Sequence, residues 1–163
     1  MNLAETLSQV LDSLADTPEI LAALVSNLQE SELRVEHPMG EFSIVEHICH
    51  LRDIEIEGYG IRINRILKEA SPALPDIDGS QLALERDYNS QLISVAFEQF
   101  RHARQKNIEV LHSLEEEELN REGMLEGMGA VNLRRLLCLM HEHDESHLSA
   151  IRVVREWLSN SNQ

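Results

Sequence analysis

His143 and His147 stand four residues apart in the stretch Leu136 to Ile151. On a helix, which rises ~1.5 Å per residue, the two imidazoles project from one face about 6 Å apart along the axis, and one metal ion can take both. Steps of three and four from Leu136 pass through Leu139, Met140, His143, His147, Ala150, Ile151, Val154 and Leu158. The histidines therefore fall within an apolar seam and not on its charged back. An imidazole there must hydrogen-bond or coordinate, because bare polar nitrogens in an apolar place cost free energy. A buried hydrogen-bonded pair and a metal centre both satisfy that demand. A third ligand would separate them, and His47 and His50 are the candidates.

The elements that must position these residues read as helices. Leu3, Leu7, Val10, Leu11 and Leu14 recur at helical spacing, as do Ile20, Leu21, Leu24, Val25 and Leu28. Between them Thr17 can cap and Pro18 can open a new first turn, so the spacing predicts a helix bent or restarted near Thr17. Residues 32 to 41, with His37, Pro38 and Gly40, form a connector. Ser43 followed three residues later by Glu46 is a capping box. The helix it opens carries Ile44, Val45, Ile48, Leu51, Ile54, Ile61, Ile63 and Ile66 to about Lys68, with His50 at the edge of that surface and His47 about 60° round from it.

Residues 70 to 80, with Pro72, Pro75, Asp78 and Gly79, have turn chemistry and read as a long crossover loop. A third helical stretch runs from about Asn89 to Leu114. The acidic run Glu115 to Glu118 reads as a solvated helix end or connector. Gly123, Gly127 and Gly129 mark a loop without the flanking elements of a phosphate cradle. Asn132 caps the last helix, which ends near Leu158. With no strand alternation and no repeat, the expected fold is all-α: one domain over residues 1–163, an up-down four-helix bundle with long connections.

Composition narrows the function. The 163 residues carry 29 acidic and 14 basic side chains, a net charge of −15 that opposes non-specific attraction to a phosphate backbone, so nucleic acid is not an expected partner. No apolar run approaches the ~18 residues of a membrane span, and no secretory leader is legible. A soluble cytoplasmic protein is expected. Cys49 and Cys138 do not make a disulfide scaffold. They read as reduced thiols, Cys49 as a small core residue.

Three segments together resemble the DinB/YfiT-like superfamily. Ser43 to Glu55 resembles that family's segment in which a helix opens after Ser or Thr and presents His-Leu-x-Asp, here His50, Leu51, Arg52 and Asp53. His143 to Ile151 resembles its closing His-Asp-x-x-His-Leu-x-Gln-Ile, with Ala150 where the glutamine often stands. Asp87 to Gln91, Phe100 with Arg104, and Gly129 to Leu133 resemble its third-helix signatures and its approach to the last helix. The resemblance spans roughly Pro18 to Val154.

The resemblance implies a homodimeric four-helix bundle holding a divalent metal on three histidines with one coordination position open. The ligands it implies are His50, His143 and His147, with His47 a possible fourth or alternative ligand. Three imidazoles select weakly among metals, and zinc or nickel is expected. Asp53, Glu57, Glu142 and Asp144 are candidate acceptors for the outer ring nitrogens. Tyr59, Tyr88 and Asn89 are candidates to line a pocket, although Tyr88 and Asn89 would serve equally well at a helix cap. The activity implied is a metal-dependent enzyme, a hydrolase or an S-transferase that moves a low-molecular-weight thiol such as bacillithiol, mycothiol or glutathione to an electrophilic small molecule. No residue identifies itself as a general base. The alternative from another class is a non-catalytic, stress-associated metal-binding or interaction bundle, in which a fourth ligand closes the site.

Overall fold

The computed structural model describes residues 3–36 and 42–161. The connector residues His37, Pro38 and Gly40 lie outside the described range. Four long helical units form the bundle: α1 (Leu3–Val25), α3 (Ile44–Asp53) continued through a π-helical turn (Ile54–Tyr59) into α4 (Gly60–Lys68), α6 (Ile93–His112) and α8 (Leu133–Ser161). Shorter helices α2 (Glu30–Leu33), α5 (Gly79–Glu85) and α7 (Glu116–Leu119) lie in the connections. The acidic run thus folds into a helical turn of its own, opened by a capping box between Glu115 and Glu118.

Pairings between the helices give their directions. Arg52 meets Gln99 and Glu55 meets Arg104 and Asn107, so α3 and α6 run the same way. Leu14 meets Arg104 and Glu19 meets Arg101, so α1 opposes α6. His47 meets His147 and His50 meets His143, so α3 opposes α8. The expected long connection after α4 is what allows two successive helical units to run parallel.

Helix α3 starts where the capping box places it: Glu46 N donates to Ser43 Oγ at 3.3 Å and Ser43 N donates to Glu46 Oε2 at 2.7 Å. Asn132 likewise caps α8, its Oδ1 accepting from Arg135 N at 2.9 Å. The helix does not restart at Thr17: α1 runs through Pro18. A proline inside a helix leaves the carbonyl four residues earlier without its amide partner. That carbonyl, on Leu14, accepts from Arg104 Nη1 at 2.8 Å, and the Thr17 hydroxyl donates to Asp144 Oδ2 at 2.7 Å instead of capping.

The glycine-marked loop is a hairpin. Strands β2 (Glu122–Leu125) and β3 (Gly129–Asn132) pair antiparallel, and β1 (Ala73–Leu74), within the crossover segment, adds parallel to β2. Gly127 and Gly129 supply positive φ angles of 75° and 90° at the turn. Strands this short carry too little alternation to show in the sequence.

The core has two apolar halves with a polar layer between them. Leu14, Tyr59, Ile66, Ile108 and Leu136 belong to one half; Leu21, Ile48, Phe100 and Leu148 belong to the other. On all four helical units a buried polar residue lies between the halves: Thr17, Glu55, Arg104 and Asp144. Arg104 donates to Glu55 Oε2 at 2.8 Å and to Asp144 Oδ2 at 2.6 Å, and Asn107 Nδ2 donates to Glu55 Oε1 at 2.7 Å. Burial alone would lower the Arg104 pKa, yet the two flanking carboxylates raise it, so the guanidinium stays charged.

Candidate metal centre

The histidines come from the antiparallel pair α3 and α8, each helix contributing two along one face. His50 Nε2 lies 3.0 Å from His143 Nε2, and His47 Nδ1 lies 2.8 Å from His147 Nδ1. The two pairs form one cluster: ring centroids are 4.5 Å apart for His143 and His147 and 4.7 Å for His50 and His147. His50, His143 and His147 each offer one nitrogen within 4.8 Å of the other two, and His47 is not a member of that group. Two nitrogens bonded at ~2.0–2.1 Å to one cation stand at most about 4.2 Å apart, so small ring movements suffice to gather the three on a single ion. The donor set fits a divalent transition metal, being three imidazoles with no competing cation among them.

Burial sets the protonation. It pushes His47 and His50 down to about 4 and His147 to about 2, the last aided by the neighbouring imidazoles, and it lowers His143 as well. At neutral pH all four rings are neutral, the state in which a nitrogen can donate to a metal. Buried His50 Nδ1 and His47 Nε2 have no hydrogen-bond partner.

Rings and backbone wall the cluster. Phe42 lies 5.6 Å from His47 and 5.7 Å from His50 between centroids, and Tyr59 lies edge-on to His143 at 5.9 Å while its hydroxyl donates to Leu139 O. Gly79, the first residue of α5, sits against the His50 ring: a Cβ there would lie 2.1 Å from His50 Cε1. Its role is invisible in the sequence beyond the turn signal of Asp78 and Gly79.

None of the carboxylates expected to accept from the outer imidazole nitrogens does so. Asp53 accepts from Arg52 Nε at 2.6 Å, Arg86 Nη1 at 2.7 Å and the Tyr88 hydroxyl at 2.6 Å. Glu57 accepts from Arg86 at 2.6 Å, Glu142 from Arg135 at 2.9 Å, and Asp144 from Arg104 and Thr17. Each has a cation of its own, a pairing the sequence reading did not foresee. Tyr88 and Asn89 serve structure as well: Asn89 Oδ1 accepts from Ser43 Oγ at 2.8 Å. Cys49 is buried and its thiol is pushed up to about 11 by burial, so it stays protonated at neutral pH.

A groove of about 620 Å³ on the described surface lies elsewhere. It runs between the π-helical turn and α6, lined by Arg52, Ile56, Ile61, Gln99, His102 and Lys106 among others, and none of the four clustered histidines borders it. No described helix is long and apolar enough to cross a membrane.

No curated protein matches the sequence. Among solved structures the fold is similar to that of YfiT from Bacillus subtilis, described as a probable metal-dependent hydrolase with an unusual four-helix bundle topology. The two share 19% identity at a TM-score of 0.89, over 98% of this chain and 91% of that one. Residues 13–151 match the sequence pattern of the DinB superfamily, and the chain belongs to that superfamily.

Proposed function

We propose that the protein is a divalent-metal-dependent enzyme in which His50, His143 and His147 hold the ion, zinc or nickel, and one coordination position stays open for a small-molecule nucleophile. The observation that carries this reading is the convergence of those three nitrogens within 4.8 Å without a fourth ligand in the described group. Zinc sites with three protein ligands and a vacant position are typically catalytic, whereas structural sites are closed by four. A cation bound there would lower the pKa of an adjacent water or thiol and polarise an electrophile.

The chain's own contribution is charge and enclosure. Neutral imidazoles add no negative charge to the centre, and the rings of Phe42 and Tyr59 limit the water around it. We assign as the reaction the attack of a low-molecular-weight thiol on an electrophilic small molecule, on the strength of the superfamily. Hydrolysis, the activity ascribed to YfiT, is the competing reaction of the same centre.

The proposal extends to a homodimer in the cytoplasm. The exposed apolar side chains Ile56, Ile61 and Val95 beside the large groove support a subunit contact on that face. Sedimentation of the wild type and of Ile61→Glu tests it, with a dimer expected for the first and a monomer for the second.

The test of the centre is elemental analysis of untagged protein beside His143→Ala. About one metal per chain, lost in the variant, is the expected result. The zinc- and nickel-loaded protein is then assayed for loss of free thiol against an epoxide or alkyl halide, and for ester and amide hydrolysis without thiol. No metal after chelator-free purification and no uptake of added zinc or nickel would overturn the reading.

A further inference from the structure

His47 lies on the same face of α3 as His50, yet it stands outside the three-nitrogen group and meets His147, Nδ1 to Nδ1 at 2.8 Å. We propose that His47 is a positioning residue for His147: it accepts the Nδ1 proton of His147 and so presents the bare Nε2 of His147 to the centre. This rests on the metal-site reading above.

The argument is one of proton count. A neutral imidazole carries one N–H, so the contact can run in only two directions. If His47 donated, His147 would carry its proton on Nε2 and have no lone pair left for a metal. If His147 donates, its Nε2 is free. Only the second direction is compatible with a ligand role for His147 through Nε2, and a metal-bound imidazole commonly fixes its tautomer by giving its other N–H to a neighbour. His47 is 5% exposed, so water does not compete for that proton. The carboxylates that could have served instead, Asp53, Glu57, Glu142 and Asp144, are all engaged by arginines.

The identity of the acceptor has a chemical consequence. A carboxylate in that place would pass negative charge through the ring to the metal. A neutral imidazole orients the ligand without doing so, and the centre keeps its full power to acidify a bound nucleophile.

The experiment compares wild type, His47→Leu, which removes the acceptor, and His47→Asn, whose side-chain oxygen reaches about where Nδ1 was. Helical content is checked by circular dichroism. Zinc affinity is read by competition with a chromophoric chelator, and coordination by the visible spectrum of the cobalt-substituted protein. One equivalent of zinc is expected in all three, weakened about 10- to 100-fold in His47→Leu and largely recovered in His47→Asn, with the cobalt band pattern unchanged throughout. A changed cobalt pattern in both variants, with no recovery by Asn, would show His47 to be a fourth ligand and overturn the inference. Wild-type affinity in His47→Leu would overturn it too. Wild-type protein that takes up neither zinc nor cobalt would overturn the metal centre itself, and with it this role for His47.

Discussion

The guanidinium of Arg104 donates to the carbonyl oxygen of Leu14 at 2.8 Å, and Leu14 is the residue whose helical partner Pro18 removes. The same side chain binds Glu55 and Asp144, so a single cation completes α1 and ties it to α3 and α8 through the middle of the bundle.

Arg104→Leu is therefore expected to be among the most destabilising single changes. It would leave two buried carboxylates unpaired, a loss of about 3–5 kcal/mol for a buried ion pair broken on one side. Urea denaturation of the metal-free protein measures it. A loss below 1 kcal/mol would show that the polar layer does not hold the helices together.

Gly79→Ala is expected to impair the histidine cluster more than the fold. The added methyl would lie 2.1 Å from His50 Cε1, so the ring must move, and His50 Nε2 is drawn away from His143. Zinc affinity should fall at least about tenfold, as for disturbed supporting contacts around a metal. Chelator competition reads the affinity and thermal melting reads the fold. Unchanged affinity would place Gly79 outside the site's support.

Acid should unfold the metal-free protein earlier than its carboxylates require. His47 and His50 are pushed down to about 4, against about 6.5 in the unfolded chain. Between those values the unfolded state binds more protons than the native one, so stability rises with pH. It is undiminished above about pH 6.5 and falls as pH drops toward 4, by on the order of 3 kcal/mol for each of the two rings. Urea titrations at pH 7.5, 6 and 5 should show this slope, and replacing His47 with Leu should flatten it. A stability independent of pH over that range would contradict neutral burial.

Cys49 should resist modification in the native state. Its thiol is buried and pushed up to about 11 by burial, so at pH 8 little thiolate is present and less is reachable. Labelling with a thiol-specific disulfide reagent, followed by peptide mapping, should find Cys49 modified only after denaturation.

Much of the bundle was legible because its signals are local. Apolar spacing located α3, α4, α6 and α8, and the Ser43 box and Asn132 cap set two helix starts by contacts three residues long. The pair His143 and His147 needed only helical pitch to share a face. What tertiary structure decided depends on partners far apart in the chain. Pro18 stays inside α1 because Arg104, in another helix, occupies the freed carbonyl. Each carboxylate near the histidines is drawn off by an arginine: Asp53 and Glu57 by Arg86, Asp144 by Arg104 and Glu142 by Arg135. Helical spacing put His47 and His50 about 60° apart, able to face the same cavity, and the antiparallel seating of α8 gave each ring its own partner. It set His50 against His143 within the three-nitrogen group and His47 against Nδ1 of His147, because the partner of each ring is chosen by how two helices lie together and not by the helix that carries it.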